Sequence, residues 1–166
     1  MKIKFLISAL LLLLGSHLVS ANDALISPNG IKLPADYKNW KLISSSHRED
    51  SKTLRVILGN DTAMESIKQG KTNPWQEGSV LIKLVWKDSV HPNFEKATVP
   101  SEFVHSEVMV KDTAKYAETG GWGYARWLGM EQKPYGHDAS FVQECAGCHA
   151  AVKENDSVFT RPSKLP

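Results

Sequence analysis

Four short runs rich in β-branched and aromatic residues restrict the folds open to this chain. They are Thr53–Gly59, Ser79–Lys87, Glu102–Lys111 and Trp122–Leu128, and turn-forming Gly, Pro, Asn or Asp residues lie close to their ends. Such runs are typical of strands, whereas a helical bundle needs long stretches with a period of 3.6 residues. We therefore expect an α+β fold dominated by antiparallel β-sheet.

Three short helices are expected between and after these strands. Each has a capping residue before it, a glycine after it, or both. They are Asp61–Gln69, with Asn60 or Asp61 as N-cap and Gly70 as stop signal; Asp112–Glu118, followed by Gly120 and Gly121; and a C-terminal helix from about Asp138 into a cysteine motif.

The N-terminus has the pattern of a secretory signal peptide. A basic start precedes an apolar run from Phe5 to Leu14, and Val19-Ser20-Ala21 offers a small-residue cleavage site. No later stretch approaches the roughly 18 apolar residues that a membrane-spanning helix needs. We predict a signal peptide at residues 1–21, a periplasmic location and one domain over residues 22–166, with an uncleaved anchor as the alternative.

Charge argues against two classes of partner. The chain has 20 Lys and Arg residues against 18 Asp and Glu, a formal net charge of +2. Lys2 and Lys4 are the only such residues before position 22, so the remainder is formally neutral. It contains no block of Lys and Arg, and we therefore expect no binding to nucleic acid or to an anionic membrane surface.

The two cysteines of the chain lie together in Cys145-Ala146-Gly147-Cys148-His149. C-x-x-C-H is the attachment signature of c-type haem, in which two thiols add to the vinyl groups and the histidine ligates the iron. A thioredoxin-like pair would follow an early strand, whereas this motif lies near the C-terminus. A zinc site would need further Cys or closely spaced His ligands, and the sequence pattern offers neither. The motif therefore predicts one covalent haem c bound by Cys145 and Cys148, with His149 as proximal iron ligand.

The sixth coordination position of the iron distinguishes electron carriers from proteins that bind small molecules. An iron with a sixth ligand from the protein transfers electrons, whereas an iron without one can bind a small molecule. The residues after His149 include no Met and no His, so a late Met ligand is excluded. Most of the upstream candidates are better interpreted as surface or core residues. They are His47, His91, His105, His137, Met64, Met109 and Met130.

Period-two alternation places Lys83 and Glu107 among apolar neighbours of their strands. Lys83 either extends to water at a sheet edge or faces the haem edge. Glu107 is either a solvent-facing residue paired with a lysine or a proton acceptor tuned by desolvation and a nearby cation. Arg55 either is a surface residue or pairs with a haem propionate or with Glu107.

Seven segments together make the chain resemble the cytochrome P-460 family, which includes hydroxylamine-oxidising haem enzymes and the β-sheet type of cytochrome c-prime. The similarity extends from about Leu33 to Thr160, and only the haem motif is specific by itself. The matching segments are residues 33–40, 54–56, 78–83, 107–112, 121–124, 145–149 and 156–160.

The resemblance implies a mostly antiparallel fold, a homodimer and a haem with an open distal side. It places the family's cross-linking lysine at Lys83, its distal proton-accepting carboxylate at Glu107 and its distal arginine at Arg55. It also implies oxidation of hydroxylamine, and of nitric oxide as a further substrate, to nitrous oxide or nitrite, with a soluble cytochrome as electron acceptor.

Two other functions stay open. In the cytochrome c-prime branch an apolar cap replaces the carboxylate and nitric oxide is bound without turnover; Phe103 could supply such a cap here. If His105 reached the iron, the protein would instead be a six-coordinate electron carrier. Retention of both Lys83 and Glu107 favours the enzyme.

Overall fold

A computed structural model of the protein describes residues 25–164. The predicted signal peptide, residues 1–21, lies outside the described residues. Six strands form one antiparallel sheet in which each strand pairs with its neighbours in the chain. The strands are β1 (Lys41–Arg48), β2 (Thr53–Gly59), β3 (Val80–His91), β4 (Phe94–Lys111), β5 (Trp122–Leu128) and β6 (Lys133–Pro134).

Two short α-helices accompany the sheet, α1 (Asp61–Lys68) and α2 (Val142–His149). Asn60 caps α1 as predicted, and its side-chain oxygen accepts the backbone N–H of Ala63 at 3.0 Å. Short 3₁₀ segments include Ala139–Phe141 and Ala150–Asn155, which flank α2. Within residues 25–164, no helix has both the length and the apolar character required to cross a bilayer.

The predicted α+β class, mostly antiparallel sheet with a C-terminal helix, is confirmed. The helix predicted over Asp112–Glu118 is wrong, because this segment forms turns followed by a 3₁₀ helix at Ala117–Thr119. Glu77 accepts the backbone N–H of Thr113 at 2.9 Å, and Gly121 donates its N–H to the carbonyl of Tyr116 at 2.8 Å. These contacts reverse the chain tightly between β4 and β5.

Alternating residues give the sheet two differently packed faces. On the first face Ile82, Val108 and Trp127 pack against Ile31 and Leu33 of the N-terminal segment. The predicted apolar face of β3, which includes Val80, Ile82 and Leu84, lies on this side.

The second face of the sheet carries the helix with the cysteine motif. Its buried core includes Ile57, Leu81 and Trp122, and Cys145 and Ala146 of α2 pack against that core. Half-buried and charged side chains surround this core, so the second face holds the candidate site.

Candidate functional site

A cavity of about 790 Å³ lies between the second face of the sheet, α2 and the segment that follows α2. Cavities of this size are typical of cofactor and small-molecule sites. All six site residues predicted from the sequence line it, namely Arg55, Lys83, Glu107, Cys145, Cys148 and His149. The fold thus brings residues of three strands and one helix to a common space.

Helix α2 presents both thiols and the imidazole from one side. Cys145, Cys148 and His149 stand at positions i, i+3 and i+4, which share a face of an α-helix. Cys145 is half-buried, and burial raises the pKa of its thiol, whereas Cys148 is exposed. No disulfide joins the two cysteines, so neither thiol is committed to a bond within the protein.

The tautomer of His149 follows from its hydrogen bond. Its Nδ1 lies 2.6 Å from the backbone carbonyl oxygen of Ser157, which can only accept, so Nδ1 carries the proton. Nε2 then keeps its lone pair, as a metal ligand requires. The ring packs against Tyr124 and Phe159 with centroid separations of 5.0 and 5.2 Å. Burial lowers the pKa of His149, which also favours the neutral imidazole.

Strand register builds a row of charges across the cavity wall. Lys83 of β3 stands opposite Glu107 of β4, and Glu107 stands opposite Arg126 of β5. The Lys83 ammonium forms an ion pair with Oε2 of Glu107. Arg126 donates from Nε at 2.8 Å and from a terminal nitrogen at 2.7 Å to Oε1. Each carboxylate oxygen therefore has its own cation.

These cations determine the charge of Glu107. Burial alone would raise the pKa of Glu107, but the positive charges of Lys83 and Arg126 outweigh it and lower the pKa to about 2. The ring of His105 lies on the same face, with Nε2 3.4 Å from Oε1 of Glu107. Burial lowers the pKa of His105 to about 4, so a neutral imidazole lies beside the ion pairs of Glu107 with Lys83 and Arg126 at neutral pH.

Arg126 is a site residue that was not predicted from the sequence. It shares a face with Trp122 and Tyr124 by period-two alternation, and that pattern alone could have drawn attention to it. Of the two partners predicted for Arg55, a haem propionate and Glu107, Glu107 is contacted by Arg126 instead. Arg55 lines the cavity instead, where its buried Nε has no hydrogen-bond partner among residues 25–164, and burial lowers its pKa.

The residues lining the cavity fit a haem. Its wall has two free thiols, an imidazole nitrogen with a lone pair, and apolar surface from Ile57, Leu81 and Val158. The buried hydroxyl of Tyr124, like Nε of Arg55, lacks a partner within the described part of the chain. Unsatisfied buried polar atoms are rare in folded proteins, so a bound group that completes this wall is expected.

Comparison with curated proteins gives no match to this chain. Comparison with protein families gives a match over residues 34–160 to the family described as Cytochrome P460. This span includes the charged row and the cysteine motif, and a haem c is the cofactor that such proteins bind. The chain therefore belongs to the cytochrome P460 family of c-type haem proteins.

Proposed function

We propose that this protein is an exported enzyme that oxidises hydroxylamine at a single haem c. Cys145 and Cys148 would attach the haem, and His149 would ligate its iron on the proximal side. The observation that carries the proposal is Glu107, a largely buried carboxylate that lines the same cavity as the cysteine motif. Burial of a carboxylate costs free energy because it opposes ionisation, and a role as proton acceptor accounts for its presence there.

A bound haem would supply an open iron that coordinates the nitrogen of hydroxylamine and takes up electrons. Glu107 would then accept protons that the substrate loses as it is oxidised. The carboxylate is ionised at neutral pH because its pKa is about 2. It is therefore ready to take a proton without first losing one.

Arg126 and Lys83 hold that carboxylate in place. Three charged nitrogen contacts on two oxygens leave Glu107 little rotational freedom, and fixed geometry is what a general base needs. The same cations weaken the base, since a proton acceptor works best when its pKa lies near the working pH. A change in the charge of Lys83 would relieve this conflict, and the cross-link expected there is such a change.

Capture of nitric oxide without turnover is the main rival. An apolar cap from Phe103 would favour it, but Phe103 packs edge-on against Trp86 with ring centroids 5.4 Å apart. A register shift between Val85 and Trp86 interrupts the alternation of the strand pair there. Phe103 is not among the residues that line the cavity, whereas Glu107 is.

Steady-state consumption of hydroxylamine with an artificial electron acceptor tests the proposal. We expect haem-loaded protein to consume hydroxylamine and reduce the acceptor, with nitrous oxide or nitrite as product, and we expect turnover to depend on Glu107. Binding of nitric oxide with no hydroxylamine consumption would favour the rival. A low-spin resting spectrum that neither molecule displaces would show that His105 or another residue closes the iron.

The proposal extends to the protein's setting in the cell. The signal sequence supports export to the periplasm, and the family resemblance supports a homodimer that passes electrons to a soluble cytochrome. Mass spectrometry of purified periplasmic protein checks the cleavage site after Ala21, and light scattering of the same sample checks the dimer. A chain that still begins at Met1 would favour the uncleaved anchor.

A further inference from the structure

A second ion pair, formed by Lys111 and Asp156, lies deeper in the protein than the charged row. Nζ of Lys111 is 2.6 Å from Oδ1 of Asp156, and the two side chains are only 4% and 11% exposed. Buried ion pairs contribute little net stability, because desolvation offsets their attraction. Neither residue lines the cavity, so this pair is outside the chemistry assigned above.

Asp156 lies at an unusual bend of the chain. Both Asp156 and Ser157 have left-handed backbones, with φ of 50° and 59°, which residues other than glycine adopt rarely. Such conformations persist only where the surrounding structure enforces them, and they cluster at functional sites.

Four contacts enforce this bend. Oδ2 of Asp156 accepts the backbone N–H of Trp75 at 2.8 Å, while Oδ1 accepts from Lys111. The carbonyl of Asp156 accepts Nε1 of Trp122 at 2.8 Å. Ser157 donates its own N–H to the carbonyl of Val152 at 3.1 Å.

The bend has one direct consequence at the haem site. It aims the carbonyl oxygen of Ser157 at Nδ1 of His149, 2.6 Å away. The partner of the non-ligating nitrogen fixes the orientation of a metal-bound imidazole and raises its basicity. An extended backbone at Ser157 would turn this carbonyl elsewhere.

We propose that Lys111 and Asp156 are positioning residues that hold the Ser157 carbonyl against His149 and so set the donor strength of the proximal imidazole. This rests on the part of the proposed function that makes His149 the iron ligand, and does not depend on hydroxylamine oxidation. Loss of such second partners typically costs about 10–100-fold in metal affinity or activity.

Asp156→Asn in the haem-loaded protein tests this. Asn tolerates the left-handed conformation and can still accept from Trp75, but it lacks the charge that holds Lys111. The double variant Asp156→Asn with Lys111→Met avoids an unpaired buried lysine, so it provides a second folded form. Thr53→Val is the matched control, because Thr53 is a buried residue whose hydroxyl pairs with that of Ser51 between β1 and β2 and makes none of the four contacts at the bend.

The decisive measurement is the iron–histidine stretching frequency of the ferrous protein by resonance Raman spectroscopy, together with the midpoint potential. We expect a lower frequency and a higher potential in both Asp156 variants, since a weaker hydrogen bond at Nδ1 makes the imidazole a poorer donor. Thr53→Val should lose stability and leave both quantities unchanged.

Unshifted frequency and potential in both Asp156 variants would overturn the inference and leave the ion pair a structural feature. His149→Ala separates this outcome from failure of the proposed function. If His149→Ala keeps the iron–histidine band, the proximal assignment itself is wrong. If that band is lost in His149→Ala but unshifted in Asp156→Asn, only the positioning role fails.

Discussion

Removal of the Arg126 charge is expected to release Glu107 from its strongly acidic state. Arg126→Gln deletes both nitrogen contacts to Oε1 and leaves Lys83 as the remaining cation paired with the carboxylate. His105 approaches the same oxygen, but the low pKa of its imidazole keeps it neutral at pH 7. Arg55 acts on Glu107 only through space.

The magnitude follows from the pKa of Glu107, which falls from 4.5 to about 2 in the folded protein. That depression is equivalent to about 3 kcal/mol of stability at neutral pH. Arg126 is one of the two cations responsible, and both side chains of the pair are about a quarter exposed or less. We therefore expect Arg126→Gln to lower the free energy of unfolding by about 1–2 kcal/mol at pH 7.

The sign of the pH dependence is fixed by the direction of the shift. A depressed carboxyl pKa stabilises the fold above the unfolded value near 4.5, and this stabilisation is lost as the pH falls toward about 2. The difference between wild type and Arg126→Gln should therefore be constant above about pH 5 and shrink between pH 4.5 and 2. Arg126→Lys, which keeps the charge, should lie between them.

Denaturant unfolding of haem-loaded protein at a series of pH values measures this difference. Arg48→Gln is the control, because Arg48 pairs with Asp50 at the exposed end of β1 and exposed pairs contribute little. A stability gap between wild type and Arg126→Gln that does not change down to pH 2.5 would refute the reasoning, since Arg126 would then not set the pKa of Glu107.

Three further predictions concern the cofactor and the base. Loss of either Cys145 or Cys148 to Ala should lower haem retention after denaturation, and full retention in a variant that lacks both cysteines and also carries Lys83→Arg would contradict attachment through the cysteines. The tryptic peptide containing Lys83 should carry haem mass, and Lys83→Arg should abolish this because a guanidinium with a pKa above about 12 is a poor nucleophile. An unmodified Lys83 in natively matured protein would favour the nitric-oxide-binding branch. Glu107→Ala should bind hydroxylamine but oxidise it about 10²–10⁴-fold more slowly, with partial activity in Glu107→Asp, and oxidation at the parent rate would make His105 the next candidate.

The ends of strands could be predicted where strong boundary signals coincide with a buried pattern. β2 and β5 were predicted with their observed ends, and Gly59 or Gly121 marks one boundary of each. β3 and β4 extend past their predicted ends as a hairpin whose tip, near His91 and Phe94, is largely exposed. β1 was not predicted for the same reason, since Ile43 is its only buried residue. Exposed ribbons carry little hydrophobic alternation, so the sequence cannot reveal them.

Most residues of the candidate site could be predicted from the sequence, but the contacts between them could not. Period-two alternation placed Lys83 and Glu107 on their faces, and the structure puts both at the cavity wall. Alternation does not give the register between strands, because any shift of two residues keeps the same faces. The contact between Glu107 and Arg126 depends on that register, and for this reason sequence reasoning considered the wrong arginine, Arg55, as the partner.

The register between β3 and β4 also links the cross-link expected at Lys83 to the basicity of the Glu107 carboxylate. A bond between Nζ of Lys83 and a porphyrin carbon replaces one N–H and one C–H, so it releases two electrons and two protons and needs an oxidant such as a peroxide, which is reduced to water. An amine nitrogen attached to an aromatic carbon shares its lone pair with the ring and stays neutral at pH 7. The cross-link would therefore remove one of the two charges that depress the pKa of Glu107, and its basicity would rise toward the range that proton transfer requires. Because Lys83 and Glu107 are direct cross-strand partners, attachment of the haem at β3 would change the proton affinity of a carboxylate on β4.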